Sequence, residues 1–196
     1  ARYVVGIGLD DRPVSGKFLV AHDFAFDKEH VLCSIMTYLT GNPPRVDSIS
    51  DLVPAANWSE REFRDLVGIE PVGHPYPKRL ILPDGWPDGV HPLRRDYPWD
   101  AVPPDYDENR TFDFDNPPDG CVVVPFGPFH PTLDEPAHFR LYVDGEVVRG
   151  CEYRGFMVHR AIEKLGDSVL TYNEIPMAAE RICGILKGEF YLDRTF

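Results

Sequence analysis

The residues able to do chemistry lie in the last third of the chain. They are His130 in Gly127-Pro128-Phe129-His130-Pro131, Glu163 in His159-Arg160-Ala161-Ile162-Glu163-Lys164, and Cys183 in Glu180-Arg181-Ile182-Cys183-Gly184-Ile185-Leu186. A helix carboxylate can carry a proton, and a thiolate can ligate a soft metal ion. Each residue also has a plainer role open to it. Glu163 follows Arg160 by three residues and precedes Lys164, so it can sit in a solvated ion pair. Cys183 on the buried side of a helix can act as a small hydrophobe, and His130 can hydrogen-bond nearby backbone. The other cysteines, Cys33, Cys121 and Cys151, form no Cys-x-x-Cys, so iron-sulfur ligation lacks its ligand pairs. No two histidines have His-x-x-x-His spacing. Gly6-Ile7-Gly8 lacks the third glycine and the following helix of a dinucleotide fingerprint, and no serine has a nucleophile-elbow context.

The elements that must position these residues follow from periodicity. Residues 2–9, 17–22 and about 30–39 are rich in Val, Ile, Leu, Tyr and Phe and are separated by turn-forming segments, which predicts an antiparallel sheet. Asn57 stands as an N-cap with Glu60 three residues on; Phe63, Leu66 and Val67 share a helical face and Gly68 supplies the stop. Pro71 to Pro104 reads as irregular apart from Arg79-Leu80-Ile81-Leu82. Residues 103–120 read as an acidic, Pro-rich linker. Beyond it, residues 121–126, 138–143 and 146–153 read as strands with a hairpin turn at Asp144-Gly145. A helix with Val158, Ile162 and Leu165 on one face should end at Gly166, and a second should begin near Asn173 with Pro176 in its first turn. The expected fold class is α+β: a small mixed or antiparallel sheet with flanking helices over 1–102, the linker over 103–120, and a β-hairpin plus two helices within 121–196.

Composition narrows the function classes. A net charge of -12 without a Lys/Arg cluster disfavours nucleic acid and anionic lipid as partners. The longest apolar runs are far shorter than the roughly 20 residues that cross a bilayer, so the expectation is no direct membrane span. Scattered cysteines and no basic-then-apolar leader suggest a reducing cytoplasm. Twenty prolines, about twice ordinary usage, fix many connections.

Two stretches carry a family resemblance. Ala56-Asn57-Trp58-Ser59-Glu60-Arg61-Glu62-Phe63-Arg64-Asp65-Leu66-Val67-Gly68-Ile69, with Gly73-His74-Pro75, Arg79-Leu80 and Pro92-Leu93-Arg94-Arg95-Asp96-Tyr97-Pro98, resembles the 30-kDa-type subunit of respiratory complex I, the NADH dehydrogenase. Residues 121–196 resemble the truncated beginning of the adjoining 49-kDa-type subunit. The likeness is to the version shared with energy-converting nickel-iron hydrogenases of the formate-hydrogenlyase type. The quinone-binding histidine and tyrosine of the complex I version are replaced, at Thr132 to Pro136 and at Gly184, while Glu135-Pro136 and Arg181-Ile182-Cys183-Gly184-Ile185 follow the hydrogenase branch.

The resemblance implies a peripheral docking scaffold on the inner, cytoplasmic face of the cell membrane. Its partners would be iron-sulfur and large-subunit proteins, with nickel-iron, iron-sulfur and FMN groups in the larger complexes and none in this chain. By the same resemblance Glu163 would be a proton relay and Cys183 a vestigial nickel ligand, the paired thiolate being replaced by Leu186. Interface residues would be Trp58, Glu60, Arg61, Glu62, Trp86, Arg94 and Arg95, the tryptophans and arginines being side chains that interfaces favour. The rival expectations are a fragment of an active hydrogenase large subunit, or a stand-alone docking or assembly protein.

Overall fold

The computed structural model describes residues 1–133 and 135–182 and is an α+β protein. Three antiparallel strands open it: β1 (Arg2–Asp11), β2 (Lys17–Phe26) and β3 (Val31–Leu39), in the order β1-β2-β3. A four-residue helix, α1 (Arg12–Ser15), turns between the first two and ends at Gly16. In register, Gly6 faces His22 and Gly8 faces Val20. That glycine stripe is where the helix α2 (Asn57–Leu66) lies on the sheet. A Cβ at Gly8 would stand 2.2 Å from the Cβ of Phe63, so only a bare backbone admits the helix this closely. Phe18, Val20, Phe63, Leu66, Val67, Ile69 and Leu80 to Leu82 form the core beneath.

The start of α2 differs from the expectation. The chain is already helical at a 3-10 turn, Pro54–Ala56, so Asn57 is the first α-helical residue and caps nothing with its side chain. Pro54 starts the turn because its fixed φ suits a first helical position. The far end is as expected: Gly68, at φ +78°, donates its N–H to the carbonyls of Phe63 and Arg64. A short parallel pair, β4 (Arg45–Asp47) with β5 (Glu70–Val72), was not foreseen.

Residues 80–82 are buried but form no strand. Asp65 of α2 receives the N–H groups of Leu80 (2.8 Å), Ile81 (2.9 Å) and Leu82 (3.4 Å) on one carboxylate oxygen, taking the place of a sheet neighbour. Residues 103–120 carry no helix or strand. A second antiparallel sheet follows: β6 (Val122–Phe126), β7 (His138–Asp144) and β8 (Val147–Arg154), in that order. Asp144 pairs with Val147, so the tight turn is Gly145-Glu146, one residue later than read. The last helices are shorter than expected. α3 covers Ile162–Ser168 and passes through Gly166, because Ala161 at φ +54° breaks the chain before it. α4 covers Ile175–Ala179 with Pro176 in its first turn.

Candidate functional site

The seam between the two sheets is built from β8. Its alternation turns Glu152 and Arg154 inward, and both are buried. Glu152 receives the Tyr76 hydroxyl at 2.7 Å, the Asp115 N–H at 2.9 Å, the Lys78 ammonium at 3.1 Å and the Tyr142 hydroxyl. Burial alone would raise its pKa, but these donors overcome that and hold it near 2, while burial and the same carboxylate push Tyr76 and Tyr142 up to about 12. Arg154 donates to the carbonyls of Leu80 (2.6 Å) and Leu82 (2.9 Å) and pairs with Asp84 at 2.8 Å. Neither residue was singled out from sequence. The only signal was a charged pair on the inward side of an alternating strand.

Beside this seam lies a cavity of about 320 Å³. Its apolar walls come from Leu66, Ile81, Phe156, Val158 and Ile162, and three carboxylates line it: Glu62 from α2, Glu163 from α3, and Glu135 from the segment before β7. Ala161 turns the chain so that the His159 imidazole Nε2 meets Glu163 Oε1 in a hydrogen bond. Burial works against the Glu163 carboxylate, yet the bond to His159 outweighs it and lowers its pKa. Glu62 moves the other way. It is exposed at the rim, but partial desolvation first and the nearby Glu163 charge second raise its pKa. Glu163 therefore does not pair with its sequence neighbours. Arg160 donates to the Arg181 carbonyl at 2.5 Å, and buried Lys164 donates to the Arg94 carbonyl at 3.2 Å.

The other expected site residues divide by burial. Glu60 and Arg61, expected from sequence at an interface, are buried within this chain's own fold. Glu60 is 1% exposed and accepts from Ser48 Oγ, the Ile49 N–H and Ser50 Oγ, whereas Arg61 is 4% exposed and binds the carbonyls of Lys78 and Arg79. The physical reason is the 44–50 segment and the 74–79 segment, which fold over the helix face that looked solvated. Trp86 packs on the core and donates its indole N–H to Val90 O. Trp58 is half exposed, and its ring stacks on Tyr153 of β8 at 5.5 Å. Arg94 is half-buried, with Nε on the Val67 carbonyl, while Arg95 is exposed and paired with Asp167. His74 and His91 bind backbone carbonyls of Asn57 and Asp65, and His130 accepts the Thr132 N–H. Cys183 and Leu186 lie outside the described residues.

Among the described residues no group of three His, Cys, Asp or Glu side chains is arranged to hold a metal ion. The cavity presents carboxylate and imidazole, which do not match the soft thiolates of a nickel-iron centre. No helix among the described residues is long and apolar enough to cross a membrane.

Residues 2–103 match the family described as the respiratory-chain NADH dehydrogenase 30 Kd subunit. The chain belongs to that family. Beyond the 30 Kd region it is similar to larger proteins. Formate hydrogenlyase subunit 5 of Escherichia coli (strain K12) is 41% identical over 91% of this chain and 32% of its own length. Hydrogenase-4 component G of the same organism is 39% identical over 91% of this chain and 33% of its own. The C/D subunit of NADH-quinone oxidoreductase from Nitrosospira multiformis is 30% identical over 85% and 30%. The chain thus spans about a third of the length of these curated relatives. The likeness runs across both sheets in one stretch, so the 30 Kd region and the segment after it occur together in the relatives as they do here.

Proposed function

We propose that this chain is a peripheral subunit of a complex I-type NADH dehydrogenase or a related energy-converting hydrogenase complex, serving as a docking scaffold. The observation that supports it most directly is β3. Its nine residues, Val31 to Leu39, contain no charge and no proline, and eight of them are exposed, including Leu32, Ile35, Met36 and Tyr38. A sheet edge of that kind is normally blunted by charge or covered by another chain. Family membership and the names of the relatives favour the second alternative. In this reading the partners are iron-sulfur and large-subunit proteins, the complex sits on the cytoplasmic face of a membrane, and nickel-iron, iron-sulfur and FMN groups reside in those partners.

The test is co-purification of the tagged chain from its own cells. The native chain should bring down iron-sulfur and large-subunit proteins, and Ile35→Lys and Met36→Lys should each reduce their recovery at least tenfold with an unchanged melting temperature. Undiminished recovery from both variants would remove β3 from the docking surface. Stoichiometric nickel in the purified chain would overturn the scaffold reading in favour of a fragment of a working hydrogenase subunit.

A further inference from the structure

His74 ties the 74–79 segment to α2. Its side chain is fully enclosed, and both ring nitrogens are committed: Nε2 lies 3.2 Å from the Asn57 carbonyl and Nδ1 lies 3.0 Å from the Tyr76 N–H. A carbonyl only accepts and an amide N–H only donates, so the ring is neutral with its proton on Nε2. The same Tyr76 reaches the seam. Its hydroxyl donates to Glu152 at 2.7 Å, and its ring meets the Arg61 guanidinium at 5.0 Å and the Lys78 ammonium at 5.1 Å. Lys78 also binds Glu152, so the segment that His74 fastens carries two of the four donors to that carboxylate. The charges around the ring are Glu60, with Oε2 3.7 Å from Nε2, and Arg61 and Arg64, all three on α2. On the far side of Glu60, β1 supplies Tyr3 and β2 supplies His22, 3.2 Å apart and hydrogen-bonded to each other.

We propose that His74 is a pH-sensitive latch on the seam: a proton added at Nδ1 evicts the Tyr76 N–H and frees the segment that carries Tyr76 and Lys78 to Glu152. The latch goes beyond the docking function and does not rest on it. The proton comes from solvent, the bond formed is Nδ1–H, and no electron moves. A doubly protonated imidazole has two donors and no acceptor, so it cannot keep the Tyr76 N–H where it lies. Glu60 attracts the new charge, whereas enclosure, Arg61 and Arg64 oppose it. Enclosure is the largest of these effects and holds His74 below the ordinary histidine value of about 6.5, so the latch is closed at neutral pH. The unfolded chain takes its proton first. The stability owed to neutral His74 is therefore present above about pH 6.5 and is lost as pH falls toward the folded value. Glu152 itself titrates near 2, so the latch opens while that carboxylate is still charged.

NMR of the full chain from about pH 7.5 down to about pH 4 tests the latch across the range in which histidine titrates. At the upper end the His74 ring nitrogens should report the Nε2–H tautomer. As the ring gains its proton, protection of the Tyr76 N–H should fall about tenfold, the worth of one hydrogen bond, and the Glu152 carboxyl carbon should shift with the same midpoint. His74→Asn keeps an acceptor for the amide two residues on, the bond of an Asx turn, but has no proton to gain. It should remove both steps while the His22 ring, read from its own resonances, titrates as before. Tyr76 protection or a Glu152 shift indifferent to the His74 titration would overturn the latch. So would a His74 ring that stays neutral over the whole range in the folded chain, or both steps surviving in His74→Asn. The native titration decides whether or not His74→Asn keeps the native near-ultraviolet dichroism.

Discussion

Glu152 accepts from two tyrosine hydroxyls, an ammonium and an amide while only 7% exposed. A buried carboxylate is tolerable only with its hydrogen-bonding capacity met, and here four donors meet it. Because its folded pKa is depressed, the stabilisation is present above the unfolded value and is lost as pH falls through the folded one. The drop from 4.5 to about 2 corresponds to about 3 kcal/mol at neutral pH. Glu152→Gln should therefore destabilise the chain by about 2–3 kcal/mol at pH 7, read by urea unfolding. The difference from the native chain should shrink between about pH 5 and pH 2; a difference constant over that window would show that the charge is not what the donors stabilise. At this scale sequence was a poor guide. Glu60 and Glu152 are typed as surface residues, and only the segments folded over them reveal otherwise. Glu163 was visible, but its partner His159 was not, since the bond depends on Ala161 adopting a left-handed backbone.

The strands and α2 were legible because period-two and period-3.6 apolar patterns follow directly from which face is buried. Where boundaries slipped, a local backbone feature was responsible: Pro54 extended α2 backward, and Ala161 cut the front from α3. Residues 80–82 were a different kind of miss. Their apolar run announced burial, but the ladder they needed was supplied by a single carboxylate, which no pattern encodes. The packing of α2 on β1 rests on an absence of side chain at Gly8. Gly8→Val would drive its Cβ into Phe63 Cβ, 2.2 Å away, with more atoms behind it. Overpacking of this kind costs about 1–3 kcal/mol, more where backbone must shift. Thermal melts should show Gly8→Val well below the native chain, and Gly8→Ala between them. An unchanged melting temperature for Gly8→Val would mean that α2 can move off the sheet at little cost.

The strap Leu80-Ile81-Leu82 is shared between the two parts of the molecule. Its N–H groups go to Asp65 of α2, and the carbonyls of Leu80 and Leu82 go to Arg154 of β8. Neither side satisfies this buried backbone alone, and Trp58 stacked on Tyr153 adds an aromatic contact across the same line. The sequence suggested two modules separated by an acidic linker, yet Asp115 within that linker donates its N–H to Glu152 and pairs with Lys78. It follows that the 30 Kd region and the second sheet should unfold together. Far-ultraviolet dichroism, which reports all elements, and tryptophan fluorescence, to which Trp58 at the seam contributes, should give coincident urea transitions in the native chain. Arg154→Ala leaves the carbonyls of Leu80, Leu82 and Gly155 and the Asp84 charge without their donor, and should cost about 3–5 kcal/mol. Arg154→Lys keeps the charge but cannot fork to these carbonyls, so it should fall between. If the seam couples the parts, Arg154→Ala should also separate the two transitions, with fluorescence changing at lower urea. Native transitions that already differ would show instead that each sheet folds alone and that the strap only rests between them.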